Sequence, residues 1–181
     1  MIQFQRTRRA HVACLVLALL FGLVSIPGSL AAPAAAPAAA SAAATCPLMA
    51  HLTIPRDNPR DACQAIARAR SRTTYPPDSC FNFVAQMYGW GSTGWRSPIS
   101  MWRNIRPGLR HRKDTTPPAG AIAIWRTSNP LGHAALVARK GVISTDVSRR
   151  GQVNKVPLRW ITKNWHATYL GWVMPFFPTA S

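Results

Sequence analysis

Two residues in this chain have types and surroundings that suit nucleophilic catalysis. Cys80 lies in the sequence TTYPPDSCFNFVAQMYGW, where Asp78 is a natural N-cap for a helix that begins after the Pro-Pro pair. In the first turn of a helix, free N–H groups and the helix dipole favour a thiolate over a thiol. His133 opens the strand-like run that continues as AALVAR, so its ring can project from a sheet edge. This combination predicts a Cys–His pair of the kind that performs nucleophilic catalysis.

Each of these residues taken alone has a plainer interpretation. A cysteine at a helix start is commonly a small buried residue, and a single histidine is commonly a surface or hydrogen-bonded one. Their joint occurrence, in helix-then-strand order, favours the catalytic interpretation. No metal centre is expected, because four of the histidines show neither an i, i+4 pair nor a CxxC partner: His51, His111, His133 and His166. No cofactor is expected either, since the chain contains no P-loop motif.

The elements that must position this pair follow from hydrophobic periodicity. Residues 61–72 predict a short amphipathic helix with Asp61 as its cap, and a second helix is predicted from Ser79 to about Tyr88. Residues 91–118 are rich in loop formers and basic side chains. Short β-rich runs follow at 121–126, 132–139, 142–145, 153–158 and 169–173, with a helical turn within 157–163. Helices followed by an antiparallel sheet predict an α+β domain.

Composition bounds the function further. The chain has 181 residues, of which 48 % are apolar, enough for one domain with a buried core. All five acidic residues are Asp, so mechanisms that need a glutamate are excluded. Twenty-two Lys and Arg residues give a net charge of +17, which favours an anionic partner or serves solubility alone. Because the basic residues are scattered and no nucleic-acid motif is present, nucleic acid is not the expected partner.

The first 45 residues read as a targeting segment and a linker. Three arginines precede an apolar run from Val12 to about Ile26, and a small-x-small site follows at residues 29–31. This pattern predicts a signal peptide over 1–31, with a membrane anchor or a twin-arginine signal as the alternatives. The Ala/Pro-rich stretch 32–45 predicts a linker, and the folded domain is expected over 46–181. The mature protein is therefore expected to be secreted or cell-wall associated, without a stable membrane anchor.

The predicted mature chain contains an odd number of cysteines: Cys46, Cys63 and Cys80. In a secreted protein this number suggests one disulfide and one free thiol. A bond between Cys46 and Cys63 would leave Cys80 free. The alternative is that all three cysteines are reduced or partly buried.

Several motifs together resemble the NlpC/P60 and CHAP group of papain-like peptidoglycan hydrolases. They are the helix-borne cysteine in DSCFNFV, the strand PPAGAIAIWR, the strand pair GHAALVARKGVISTD and the closing YLGWVMP, spanning about residues 62–175. The resemblance implies a papain-like fold, with N-terminal helices packed on a small antiparallel sheet. It also implies that Cys80 is the nucleophile and His133 the general base.

A third polar residue should orient the histidine. Members of the NlpC/P60 family often carry a second histidine on the next strand, but the matching segment here is VISTD. Asp146 is the best substitute, because a carboxylate can hold the imidazole in one tautomer. Ser144 and Thr145 are weaker candidates, and a simple turn role for Asp146 is the alternative.

The function expected from these features is a secreted cell-wall hydrolase, a cysteine endopeptidase or amidase that cleaves amide bonds of peptidoglycan. The basic segment 91–113 is expected to hold peptidoglycan and anionic wall polymers, with Trp95, Trp102, Arg103 and Arg106 as substrate-binding residues. A monomer is expected. The alternatives are a non-catalytic cationic wall-binding or antibacterial protein, and a Cys–His peptidase or transamidase that acts on protein.

Overall fold

The computed structural model describes residues 56–180. The predicted signal peptide, the linker and Cys46 lie outside these residues. Four helices are described: α1 (Ala62–Arg70), α2 (Cys80–Met87), α3 (Pro98–Asn104) and α4 (Leu158–Asn164), with a 3₁₀ turn at Pro107–Leu109. The strands are β1 (Arg110–Arg112), β2 (Ile122–Arg126), β3 (His133–Ala138), β4 (Gly141–Thr145), β5 (Val153–Val156) and β6 (Thr168–Val173). Among the described helices, none has the length and apolar character needed to cross a membrane.

The six described strands form one sheet in the order β1-β6-β2-β3-β4-β5, with every neighbouring pair antiparallel. Strands β2 to β5 follow one another as a meander, whereas β6 inserts between β1 and β2. Helices α1 and α2 precede this sheet and pack on β3, and α2 also contacts β4. The predicted α+β class is therefore confirmed.

Burial explains why the central strands carry so few polar residues. All six residues of β3 are buried, as are the first four of β2. The largest apolar side chains of α2, among them Phe83 and Met87, pack into the same core. A strand buried along its whole length reads as a continuous apolar run, which accounts for the sequence AALVA after His133. His133 is the one polar side chain in β3, so its burial there needs a specific hydrogen-bond partner.

The helix ends agree with the sequence in one case and differ in another. Asp61 caps α1 as predicted, in a reciprocal capping box with Gln64. The expected cap at Asp78 is not formed: Ser79 is the N-cap residue of α2 and makes no side-chain cap bond. Asp78 instead adopts a φ of 58°, and its carboxylate pairs with Arg150 at 2.6 Å.

The segment 91–118 is more ordered than its composition predicts. It contains α3, which begins with the Ser97 side chain accepting from the Ser100 amide and with Pro98 in its first turn. It also contains β1, whose partners lie on β6, far along the chain. The sequence around β1 gives almost no indication of a strand, because the strand has three residues and is stabilised by a partner far along the chain. The helical turn expected near 157–163 is a complete helix, α4.

Candidate active site

A cleft of about 520 Å³ opens beside the start of α2. Its wall is formed by parts of segments 78–82, 93–98 and 127–133, together with Asp146 and Trp165. Cys80 and His133 both line it, so the fold brings together the two residues that the sequence singles out. No hydrogen bond joins their side chains within the described residues, and the side-chain partner of His133 is Ser144.

A glycine sets the position of the histidine. Gly132 has a φ of 75°, a conformation that favours glycine. A Cβ atom there would lie 2.7 Å from the backbone oxygen of Trp125 and close to the Ile99 side chain. The chain can therefore turn tightly from the β2–β3 loop into β3, where His133 pairs with Trp125. The Gly-His dipeptide thus places the imidazole at the edge of the cleft.

Cys80 occupies the first turn of α2, half-buried in the cleft wall. Burial raises the pKa of its thiol to about 11, because the thiolate is poorly solvated there. Hydrogen bonds from the backbone of Ala134, Phe81 and Cys80 itself lower the pKa but do not overcome this effect. The thiolate expected from the helix start is therefore replaced by a neutral thiol at neutral pH.

His133 is 6 % exposed and is enclosed by aromatic rings. The Trp165 ring meets it edge to face at 4.8 Å between centroids, and the Trp125 ring lies 6.1 Å away. Burial lowers the pKa of His133 to about 4, although the negative charge of Asp146 acts in the opposite direction. The imidazole is consequently neutral at neutral pH, the state in which it can accept a proton from a thiol.

The polar side chain in contact with the imidazole is Ser144 on β4. Its Oγ lies 2.9 Å from His133 Nε2 and 2.9 Å from the backbone oxygen of Ala134. A serine hydroxyl has a single proton, and the Ala134 carbonyl can only accept. The Ser144 hydroxyl therefore donates to Ala134 and accepts from the Nε2–H of His133. This network selects the tautomer in which Nδ1 is unprotonated and free to accept the thiol proton.

Asp146 has a different role from the one expected of it. Its carboxylate accepts from the backbone N–H groups of Asp78 at 3.1 Å and Gly151 at 2.6 Å, and from the Thr145 hydroxyl at 2.8 Å. Within the described residues it makes no hydrogen bond to His133; the side chain that does so is Ser144, one of the two weaker candidates from the sequence. Asp146 instead ties the backbone just before Cys80 to the turn between β4 and β5.

The start of α2 directs backbone donors toward the reactive sulfur. Ser79 makes no side-chain cap bond, and the backbone groups of Cys80 and Phe81 lie within hydrogen-bond reach of the Cys80 sulfur. Such groups are suited to stabilise an oxyanion that forms on a carbonyl attacked by the Cys80 sulfur.

The predicted substrate-binding residues are only partly brought to this site. Trp95 lines the cleft, and so does its neighbour Arg96. Trp102 lies on the buried face of α3, with two arginine guanidinium groups over its ring. Arg103 and Arg106 are exposed but do not line the cleft. The basic segment thus contributes its N-terminal part to the cleft, because α3 directs the rest elsewhere.

Two further residues of the cleft were not predicted to be functional. Trp165 follows α4, and its ring contacts His133. Leu131, in the β2–β3 loop, is 54 % exposed at the cleft, where it offers an apolar contact to a ligand. An apolar residue beside Asn-Pro in a predicted loop was the only available signal for Leu131.

The cleft lacks the strong positive charge of the chain as a whole, which is +17. Its charged lining residues are Asp78, Asp146 and Arg96, two negative and one positive. Asp78 is paired with Arg150, a cation outside the lining, at 2.6 Å.

Cys80 is the free cysteine of the described residues, and Cys63 is disulfide-bonded. Cys46, the cysteine predicted to pair with Cys63, lies outside the described part of the chain. Between residues 56 and 180, no three or more His, Cys, Asp or Glu side chains come together in a way that could hold a metal. The Cys80 thiol and the His133 imidazole line the cleft, and the buried Ser144 hydroxyl contacts the imidazole. No family model, curated protein or solved structure matches this chain.

Proposed function

We propose that this chain is a secreted cysteine hydrolase of papain-like architecture that cleaves amide bonds of peptidoglycan. The observation that carries the proposal is the hydrogen bond between Ser144 and His133 Nε2, in the same cleft as the free thiol of Cys80. The Ser144 hydrogen bond leaves the other ring nitrogen of His133 free in the cleft that also holds the thiol. A histidine that only filled space in the core would not need this arrangement.

The mechanism starts from a neutral pair. As Cys80 Sγ attacks the amide carbonyl carbon, its proton passes to His133 Nδ1, and the carbonyl oxygen becomes an oxyanion near the first-turn N–H groups of α2. His133 then returns the proton to the amide nitrogen, the C–N bond breaks, and the amine leaves with a thioester on Cys80. Water attacks the thioester with His133 as base, which releases a carboxylic acid and restores the thiol.

Peptidoglycan as the substrate is supported by two features of different origin. The motifs around Cys80, His133 and the closing strand resemble those of peptidoglycan hydrolases of the NlpC/P60 and CHAP group. The charge of the molecule also suits such a polymer, because a strongly basic chain attracts an anionic wall.

Digestion of purified peptidoglycan tests the proposal. The wild-type protein is expected to release fragments whose masses show one added water for each amide bond cut, and the Cys80→Ala variant is expected to release none. Mass spectrometry of the products identifies the bond. Identical products from both proteins would contradict catalysis by Cys80. Cleavage of a protein substrate without cleavage of peptidoglycan would favour the peptidase alternative.

The pH dependence of hydrolysis and of thiol alkylation should show that Cys80 and His133 are both neutral in the resting protein. Hydrolysis is expected to rise as the pH passes about 4, the pKa of His133, because only the unprotonated imidazole can accept the thiol proton. In the absence of substrate, alkylation of Cys80 by iodoacetamide should increase by about tenfold per pH unit through neutrality, since only the thiolate reacts. Its rate should level off near pH 11, the pKa of the thiol.

The urea-unfolded protein provides the control for alkylation, because its cysteine has an ordinary thiol pKa. A folded-state alkylation rate that is already level at neutral pH would contradict the neutral pair. It would show that Cys80 and His133 form a thiolate–imidazolium pair in the resting protein.

A further inference from the structure

A second cavity, of about 680 Å³, lies apart from the cleft and shares none of its lining residues. It is bordered by one side of α4, by the β3–β4 turn and by Tyr169 on β6. A volume of this size falls within the range of small-molecule sites. None of the residues bordering it takes part in the proposed hydrolysis.

The walls of this cavity are mainly apolar and are held in place by hydrogen bonds. Pro157 and Leu158 contribute apolar surface, and the Tyr169 ring packs against Trp125 at 5.2 Å between centroids. The Tyr169 hydroxyl donates to the backbone oxygen of Asp114 at 2.9 Å. The Thr162 hydroxyl accepts from Trp125 Nε1 at 3.1 Å. Because these polar groups are already bonded within the protein, the cavity offers a ligand mostly apolar contact.

The charges at the cavity are all of one sign. Lys140, Arg159 and Lys163 line it, and no acidic residue does. All three are exposed, so their charged ends are free to meet a ligand. The nearest acid in sequence, Asp114, directs its carboxylate to Trp172 Nε1 at 2.9 Å and to Thr116. The cavity lining therefore carries +3.

We propose that this cavity binds a monomeric amphiphilic anion, with an apolar chain against Leu158, Pro157 and Tyr169 and an anionic head at Lys140, Arg159 and Lys163. Apolar walls alone would accept any apolar ligand, and scattered surface charge alone would accept any anion. It is the combination at one cavity that selects a molecule with both parts. Charge-assisted contacts from Lys and Arg are the strong ones for a phosphate or carboxylate head.

Calorimetric titration of the full chain with decyl phosphate, kept below its micelle concentration, tests this site. We expect saturable binding with one molecule per chain. The triple variant Lys140→Gln, Arg159→Gln, Lys163→Gln is expected to weaken binding by about tenfold or more, since it removes every cation at the head position. A charge-matched control, Arg68→Gln, Arg70→Gln, Arg72→Gln, changes exposed arginines at and just after the end of α1 and is expected to leave binding within about twofold.

Ligand controls separate the two parts of the site. Decyltrimethylammonium, which has a similar chain and a positive head, and inorganic phosphate, which has no chain, are each expected to bind at least about tenfold more weakly than decyl phosphate. Equal binding of either control ligand would overturn the proposal, as would equal losses in the two triple variants. The Cys80→Ala variant should bind decyl phosphate as the wild type does, because the cavity is separate from the cleft.

Discussion

Replacing Cys80 with alanine is expected to reduce amide hydrolysis to the background rate. The cysteine is the free thiol of the described residues, and its sulfur lines the cleft beside the base that would take its proton. Without the sulfur no thioester forms. Direct attack on the amide by a water molecule is much slower, because water is a weak nucleophile. Turnover of a stem-peptide substrate, followed by the appearance of free amine, measures the loss.

The fold should tolerate this substitution. Alanine removes one small atom from a half-buried position, for which a loss of about 1 kcal/mol or less in unfolding free energy is ordinary. Gln86→Ala is the matched control, because Gln86 lies on the exposed side of the same helix, outside the cleft. It should retain wild-type turnover. Hydrolysis by the Cys80→Ala variant at the wild-type rate would remove the cysteine mechanism altogether.

Replacing Ser144 with alanine is expected to lower kcat by about a hundredfold, since the imidazole loses the acceptor that selects its productive tautomer. The buried hydroxyl is 2.9 Å from His133 Nε2, and no other hydrogen bond to the ring is present in the described residues. Nitrogen NMR of His133 supplies a readout that a purely structural role would not change. The wild type should show a protonated Nε2, and the variant a mixture of the two tautomers.

Asp146→Asn is the contrasting variant. Its carboxylate holds the backbone of Asp78 and Gly151, so its loss should shift the chain before Cys80 while leaving the His133 tautomer unchanged. We expect a reduction in kcat of about tenfold or less, since an amide oxygen can still accept one of these bonds. A larger loss for Asp146→Asn than for Ser144→Ala would return the orienting role to the carboxylate.

Local patterns in the sequence were sufficient for much of the framework. Apolar spacing predicted α1, α2 and the strands β2 to β6, because each buries a face whose period is visible within a few residues. The capping box of Asp61 and Gln64 is likewise a short-range signal. Strand β1 lacked such a signal, since its three residues are stabilised by pairing with distant β6.

The sequence by itself also determined which residues could react. A cysteine after a helix break and a histidine after a glycine are local features, and the fold places both in one cleft. Their charge states were decided only by the tertiary structure. Burial disfavours the charged form of each group, which raises the pKa of Cys80 and lowers that of His133 against the local effect of the helix start.

The choice of Ser144 over Asp146 likewise depended on the tertiary structure. Both residues lie in the segment VISTD, and a carboxylate is the stronger partner for an imidazole when chemistry alone is considered. The sheet decides otherwise, because the pairing of β3 with β4 brings the Ser144 hydroxyl between His133 and the Ala134 carbonyl. Asp146 lies just beyond the end of β4 at a φ of 63°, where the N–H groups of the turn and of Asp78 occupy its carboxylate. Which acceptor reaches the ring is a matter of strand register, and register depends on contacts between residues that are distant in the chain.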